Sequence, residues 1–146
     1  MTTKVAAIQP HNERPATVCS AGGADYDRIS RGIADSLEHC VLRLDPRPGE
    51  RILDVATGTG WTSRLVARRA ASVTGVDIAT DLLAAAEARA AAERLSIDYQ
   101  RGDAEALPFA DASFDAVVST VGVMFATNQE AAARELARVL KPGGRL

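Results

Sequence analysis

Apolar positions along the chain change period several times, and each change marks an element. Over residues 27–44, Ile29, Ile33, Leu37, Cys40 or Val41, and Leu44 fall on one helical stripe. Arg28, Arg31, Asp35, Glu38 and Arg43 lie mostly off it. Asp27 is placed to cap this helix, Cys40 is expected inside as a small hydrophobe, and Pro46 with Pro48-Gly49 ends the pattern. Arg51–Val55 is a short apolar run that closes on Asp54-Val55 and passes into Ala56-Thr57-Gly58-Thr59-Gly60. That order predicts strand, tight loop and helix, the helix covering about 62–71 with Leu65 and Val66 inward.

The alternation then repeats. Residues 72–76 are β-branched and short, a second strand ending at Asp77. A helix over about 80–94 follows, with Thr80 as its expected N-cap and Asp81 suited to the positive helix end. Residues 96–100 form a weaker third strand before Gly102-Asp103. Residues 114–120 are nearly continuously apolar, as expected of a parallel strand buried on both faces. Thr127-Asn128-Gln129-Glu130 has the spacing of a capping box, Ala132, Leu136, Val139 and Leu140 make an inner face, and Lys141-Pro142-Gly143-Gly144 stops the helix. Arg145-Leu146 would open a fifth strand.

Strands alternating with helices imply an α/β fold: a doubly wound, mostly parallel sheet with helices on both faces. Ligands of such sheets bind beyond the strand carboxyl ends. The notable residues fall there: Asp54 and the glycine loop after strand one, Asp77 after two, Asp103 after three, Ser119-Thr120 after four.

Composition narrows the classes. The 146 residues suit one domain, residues 26–146, preceded by a mobile arm or irregular lid over 1–25 that holds Pro10, Pro15, Gly22 and Gly23. With 17 basic and 19 acidic side chains the net charge is −2, which gives no footprint for nucleic acid. No apolar run approaches the roughly 20 residues of a membrane span. The N-terminus has no long apolar core before a small-residue cleavage site, so a cytoplasmic protein is expected. Cys19 and Cys40 form no Cys-x-x-Cys pair, and His11 and His39 sit in no metal-like cluster.

The loop chemistry separates two cofactor classes. The nicotinamide fingerprint places a third glycine or alanine where Ser63 stands, and a pyrophosphate would sit poorly beside Asp54. A ligand carrying an amine or sulfonium cation tolerates the acid better. Ile52–Gly60 resembles motif I of class I S-adenosylmethionine-dependent methyltransferases. Gly75-Val76-Asp77-Ile78, then residues 102–109 with Ser113-Phe114-Asp115, and finally residues 135–145 resemble the segments that follow. The nearest type is the ubiquinone/menaquinone-biosynthesis-like group of small-molecule methyltransferases, whose sheet is Rossmann-like.

The resemblance implies S-adenosylmethionine as cofactor, a small-molecule acceptor and a set of roles. Gly58 and Gly60 would let the loop backbone approach the cofactor. Asp54 would hold the loop beside the methionine amine. Asp77 would accept from both ribose hydroxyls, a role that suits the two oxygens of a carboxylate. Ile78 would pack on adenine, Asp103 would accept from the adenine amine, and the Ala104 N–H would serve a ring nitrogen. Ser119 would offer a backbone carbonyl near the methionine moiety, and Tyr26 would cover the cofactor. Ala56 stands where the family usually has its first glycine, and its methyl is expected to require a negative φ.

No residue is nominated as a catalytic base. Family members continue through strand five, a further helix and an antiparallel hairpin. The chain is therefore expected to be a fragment with an exposed apolar edge at strand four or a stub of strand five, and to bind cofactor weakly alone. The rival readings are an NAD(P)-dependent oxidoreductase domain and a non-catalytic cofactor-binding fragment.

Overall fold

The structure, a computed structural model, describes residues 7–69 and 71–146. Residues 1–6 of the expected arm, most of the stretch read for a leader, and Ala70 of the expected second helix lie outside the described residues.

The chain runs α1 (Glu13–Ser20), α2 (Tyr26–Gly32), α3 (Ala34–Leu44), β1 (Arg51–Val55), α4 (Trp61–Ala67), β2 (Ser72–Asp77), α5 (Thr80–Ala92), β3 (Asp98–Arg101), β4 (Phe114–Val118), α6 (Gln129–Val139) and β5 (Leu140–Arg145). Among the described residues the strands form one sheet in the order β3-β2-β1-β4-β5, every pairing parallel. Strand order reverses between β1 and β4, and that switch point is where a doubly wound sheet opens a crevice.

Alternation along the central strands sends side chains to both faces. Ile52, Ala116 and Val118 pack with Val41 and Leu44 of α3 and Val66 of α4. Leu53, Val55 and Val117 pack with Leu136 and Val139 of α6. The continuous apolar runs of β1 and β4 are what a strand covered on both sides requires.

Several expectations are corrected. The helix expected over 27–44 is two helices: Ile33 leaves the helical region at φ −121° and ψ 20°, and the N–H groups of Ser36 and Leu37 both donate to its carbonyl, starting α3 anew. Cys40 is exposed rather than buried, because the inner stripe of α3 runs through Leu37, Val41 and Leu44. Part of the expected irregular arm is ordered: Pro10–Asn12 is a 3-10 turn and α1 follows. Thr80 is the first residue of α5 and not its cap, since the Asp77 carboxylate accepts the Ala79 N–H at 2.9 Å one residue earlier. Asn128 replaces Thr127 as the cap of α6 and accepts from the Ala131 N–H. The Thr127 hydroxyl is engaged elsewhere, donating to Asn12 at 2.7 Å.

The fifth strand also differs from expectation. β5 begins at Leu140, directly after α6, and carries Lys141-Pro142-Gly143-Gly144-Arg145. Lys141 pairs with Asp115 of β4 at 2.6 Å, and Arg145 reaches the Leu44 carbonyl at 2.9 Å and Glu50 at 2.6 Å. β5 is thus a strand of charge, proline and glycine, and not the apolar stretch that was expected.

Candidate functional site

A cavity of about 380 Å³ opens at the carboxyl ends of the strands. Its floor is Val55–Thr59 after β1 and Val76–Ile78 after β2, with Gly102–Glu105 after β3 on one side and Thr120–Val123 after β4 on the other. The N-terminal segment and α2 add further wall through Asn12, Cys19, Tyr26, Ile29 and Ile33, as do Leu37 of α3, Trp61 and Thr62 of α4 and Leu82 of α5. Of the residues singled out in the sequence, Tyr26, Ala56, Gly58, Asp77, Ile78, Asp103 and Ala104 line it; Asp54, Gly60 and Ser119 do not.

Asp54 lies beneath the glycine loop, 1% exposed. Its Oδ2 accepts from Thr57 Oγ1 and Ser63 Oγ, each at 2.7 Å, and those two hydroxyl oxygens lie 2.7 Å apart. Burial pushes its carboxyl up to about 6, against the pull of both hydroxyls. Asp54 thus braces the loop from below, and Ser63, which broke the nicotinamide fingerprint, is half of that brace.

Gly60 is also structural. Its φ is +75°, and a Cβ there would overlap the Tyr99 hydroxyl. Gly75 makes room for the same ring, since its Cβ would stand 2.7 Å from Tyr99 Cδ1. Burial holds the Tyr99 phenol up at about 12, so it stays neutral under the loop. Gly58 is the loop glycine on the cavity: its φ is +57°, and an added Cβ would meet no protein atom within 4 Å.

Ala56 departs from expectation in the opposite direction. It sits at φ +57° and not at a negative φ, a left-handed conformation that costs a non-glycine residue roughly 1–2 kcal/mol. Its methyl fits because Gly122 faces it; a Cβ on Gly122 would overlap that methyl and stand 2.8 Å from the Ala56 carbonyl. The glycine usual at one position of the loop has a counterpart in the loop after β4.

Asp77 faces the cavity while its two oxygens hold the floor. Oδ2 accepts the Gly58 N–H at 2.8 Å and Oδ1 the Ala79 N–H at 2.9 Å. Burial raises its carboxyl above the ordinary range despite these bonds. Each oxygen keeps acceptor capacity, since an ionised carboxylate offers about four lone-pair sites.

Asp103 is buried, and its partners come from the N-terminal segment and from its own loop. The Gln9 N–H donates to Oδ2 at 2.9 Å, Asn12 Nδ2 bridges both oxygens at 3.2 and 3.0 Å, and the Glu105 N–H donates to Oδ1 at 2.9 Å. Glu105 takes His11 Nε2 at 2.6 Å and the Asn128 N–H at 2.7 Å. Burial works against its ionisation, but these bonds outweigh burial and lower its pKa. Residues 9–12 therefore clasp the loop after β3, and Asn12 is a cavity residue that the sequence reading missed. A polar residue in a proline-flanked turn gives no local sign of a partner 91 positions away.

Ser119 Oγ accepts the Val123 N–H at 3.2 Å and stands behind the wall that Thr120 presents. Tyr26, Ile29, Val121 and Phe125 line the cavity and remain exposed at its mouth. Met124 is exposed outside the lining. Among the described residues, the charged side chains on the wall are Asp77, Asp103 and Glu105.

The loop amides decide which ligand the floor suits. The Thr57 N–H donates to the Val76 carbonyl, the Gly58 N–H to Asp77 and the Gly60 N–H to the Thr57 carbonyl. A pyrophosphate needs free backbone donors and no carboxylate beside it. Here three of the loop donors are committed and an acid faces the space. The site fits S-adenosylmethionine: Gly58 leaves space over the loop, and Asp77 keeps acceptor capacity for a vicinal diol.

An open parallel sheet with a ligand cavity at its switch point defines the class. The sequence profile of the family described as Methyltransferase domain matches residues 53–146. The chain belongs to this family, and S-adenosylmethionine is the cofactor of that family. It is 50% identical over 97 residues to an uncharacterized protein of Mycobacterium tuberculosis, covering 66% of this chain and 35% of that one. It is 40% identical over 138 residues to the ubiquinone/menaquinone biosynthesis C-methyltransferase UbiE of Rubrivivax gelatinosus, covering 91% and 54%. Among solved structures it resembles a Methanococcus maripaludis protein provisionally assigned to the S-adenosylmethionine-dependent methyltransferases, with TM-score 0.76, 26% identity, and 86% and 60% of the two chains covered. The chain thus spans about a third to a half of the length of the curated relatives it matches.

Proposed function

We propose that this chain forms the S-adenosylmethionine-binding part of an enzyme that transfers a methyl group to a small-molecule acceptor. The observation that carries the reading is Asp77: a buried carboxylate on the cavity floor that ties down the Gly58 amide and keeps acceptor capacity for two vicinal hydroxyls. In this reading Asp77 takes the ribose diol, Gly58 lets the cofactor lie close over the loop, and Ile78 and Ala104 flank the adenine. Asp103 holds the clasp of residues 9–12 at the adenine end, and Tyr26 covers the bound molecule. Asp54, Gly60 and Ser119 support the walls from behind.

The bound cofactor supplies an electrophilic methyl on a sulfonium. The protein supplies orientation, and a family reaction of this kind rests mainly on positioning. The acceptor enters past Tyr26, Ile29, Val121 and Phe125, whose apolar surfaces suit an uncharged molecule better than an anion. No helix among the described residues is long and apolar enough to cross a membrane, and a cytoplasmic location accords with the proposed reaction.

Calorimetry tests the reading directly. S-Adenosylmethionine should bind and raise the melting temperature, NADH should do neither, and Asp77→Ala should abolish the cofactor effect. Stabilisation by NADH, or none by S-adenosylmethionine, overturns it.

A further inference from the structure

Behind the cavity wall, α2, the glycine loop, α4 and α5 meet around an ion cluster. At its centre are Asp27 and Arg64, with side chains 7% and 6% exposed. Arg64 Nη1 donates to the Thr59 carbonyl at 2.7 Å, Nη2 lies 3.6 Å from Asp27 Oδ1, and Nε lies 3.0 Å from Glu93 Oε1. Asp27 Oδ1 accepts from Thr59 Oγ1 at 3.0 Å, and Oδ2 lies 3.3 Å from Arg89 Nη1. Thr59 is therefore gripped at its hydroxyl by the acid and at its carbonyl by the base. Asp27 is not the simple helix cap expected of it, and sequence reading gave Arg64 no role.

Neither charged residue lines the cavity, yet both sides of what they join do. Thr59 lies on the floor, and Tyr26, Ile29 and Ser30 of α2 lie on the wall. A buried ion pair is a weak source of net stability, because desolvation offsets its attraction, while removing one partner strands the other charge. We propose that the Asp27–Arg64 pair positions the cofactor site, fixing the path of residues 58–60 under the ligand and clamping α2 across its mouth. Both are positioning residues; they act through Thr59 and α2. The inference rests on the S-adenosylmethionine reading for its ligand but not for its geometry.

The test uses Asp27→Asn, Arg64→Lys, Arg64→Met and the apolar pair Asp27→Leu/Arg64→Met. Three quantities are measured: melting temperature, S-adenosylmethionine Kd, and amide exchange at 57–61 relative to 52–54 in β1. Single variants should lose both melting temperature and affinity. The apolar pair should regain wild-type melting temperature, yet bind at least tenfold more weakly and exchange at 57–61 at least tenfold faster relative to β1. Recovery of all three together overturns the proposal and leaves an ordinary structural ion pair. If the apolar pair does not regain stability, Asp27→Asn and Arg64→Lys decide: exchange rising selectively at 57–61 supports positioning, and an equal rise in β1 overturns it. If the wild-type chain fails to bind S-adenosylmethionine, the functional reading falls, and the exchange comparison alone still decides the placement claim.

Discussion

Asp54 and Asp77 close neighbouring parallel strands, Asp54 beside Gly75 and Val55 beside Val76 in the ladder. Both are buried acids at strand carboxyl ends. Asp54 is sealed below the loop and takes two hydroxyls on a single oxygen, Oδ2. Asp77 stands on the cavity and spends both its oxygens on two backbone amides, one from each flanking loop. A strand-end acid is therefore not a ligand residue by position alone. The side of the loop on which it emerges decides between bracing and binding: Asp77 lines the cavity and Asp54 does not.

The sharpest way to break this contrast is to remove each carboxylate. Asp77→Ala withdraws two amide acceptors and the proposed diol acceptor. Hydrogen bonds to charged groups are worth about 1.5–3 kcal/mol each, so cofactor affinity should fall at least 100-fold by calorimetry. Asp54→Asn, which keeps an acceptor for the hydroxyls, should weaken binding by less than tenfold. Comparable losses in the two variants would erase the distinction.

A second test acts on the loop that separates them. Gly122→Ala drives a methyl into Ala56 and should cost about 1–3 kcal/mol of unfolding free energy, the usual range for overpacking. Adding Ala56→Gly should recover a good part of that loss in urea titrations, because the two methyls would no longer meet. Full additivity of the two changes would show that they do not face each other.

The third test is pH. The folded-state pKa of Asp54, about 6, stands above its unfolded value near 3.9, so the fold prefers the neutral acid. That stabilisation is complete below the unfolded value and is lost as pH rises through about 6. Burial of Asp77 acts in the same direction. Lowering pH from 7.5 to 5 should therefore raise stability by roughly 1–2 kcal/mol, and Asp54→Asn should flatten most of that slope. A wild-type profile that falls over this range would overturn the assignment. The smallest effect is Ala56→Gly alone, which relieves a left-handed alanine and should stabilise by about 0.5–1 kcal/mol after its entropy cost.

Much of the fold was legible because its signals are local. Arg51–Val55 matches the expected strand residue for residue, and β2 and β4 start where their β-branched and apolar runs start. Signals failed where a distant partner intervened. Ile33 interrupts a stripe that looks continuous, and the preceding helix carries Asp27 to the ion cluster beside the glycine loop. Thr127 has the spacing of a cap but bonds Asn12 across the cavity wall. Arg138 looks like a surface charge on α6, yet it holds the Leu107 and Phe109 carbonyls and, with Glu135, orders the loop after β3.

Sequence by itself determined the alternation of strand and helix, the strand-end placement of Asp54, Asp77 and Asp103, and the family to which the chain belongs, because hydrophobic period and short motifs are properties of neighbouring residues. Tertiary structure decided which of those acids faces the cavity and which lies beneath it. It also decided that Ala56 takes a positive φ against Gly122, that residues 9–12 clasp Asp103, and that Asp27 meets Arg64. These are contacts between segments 37 to 94 positions apart, fixed by how the sheet and its helices pack, and no local pattern encodes them.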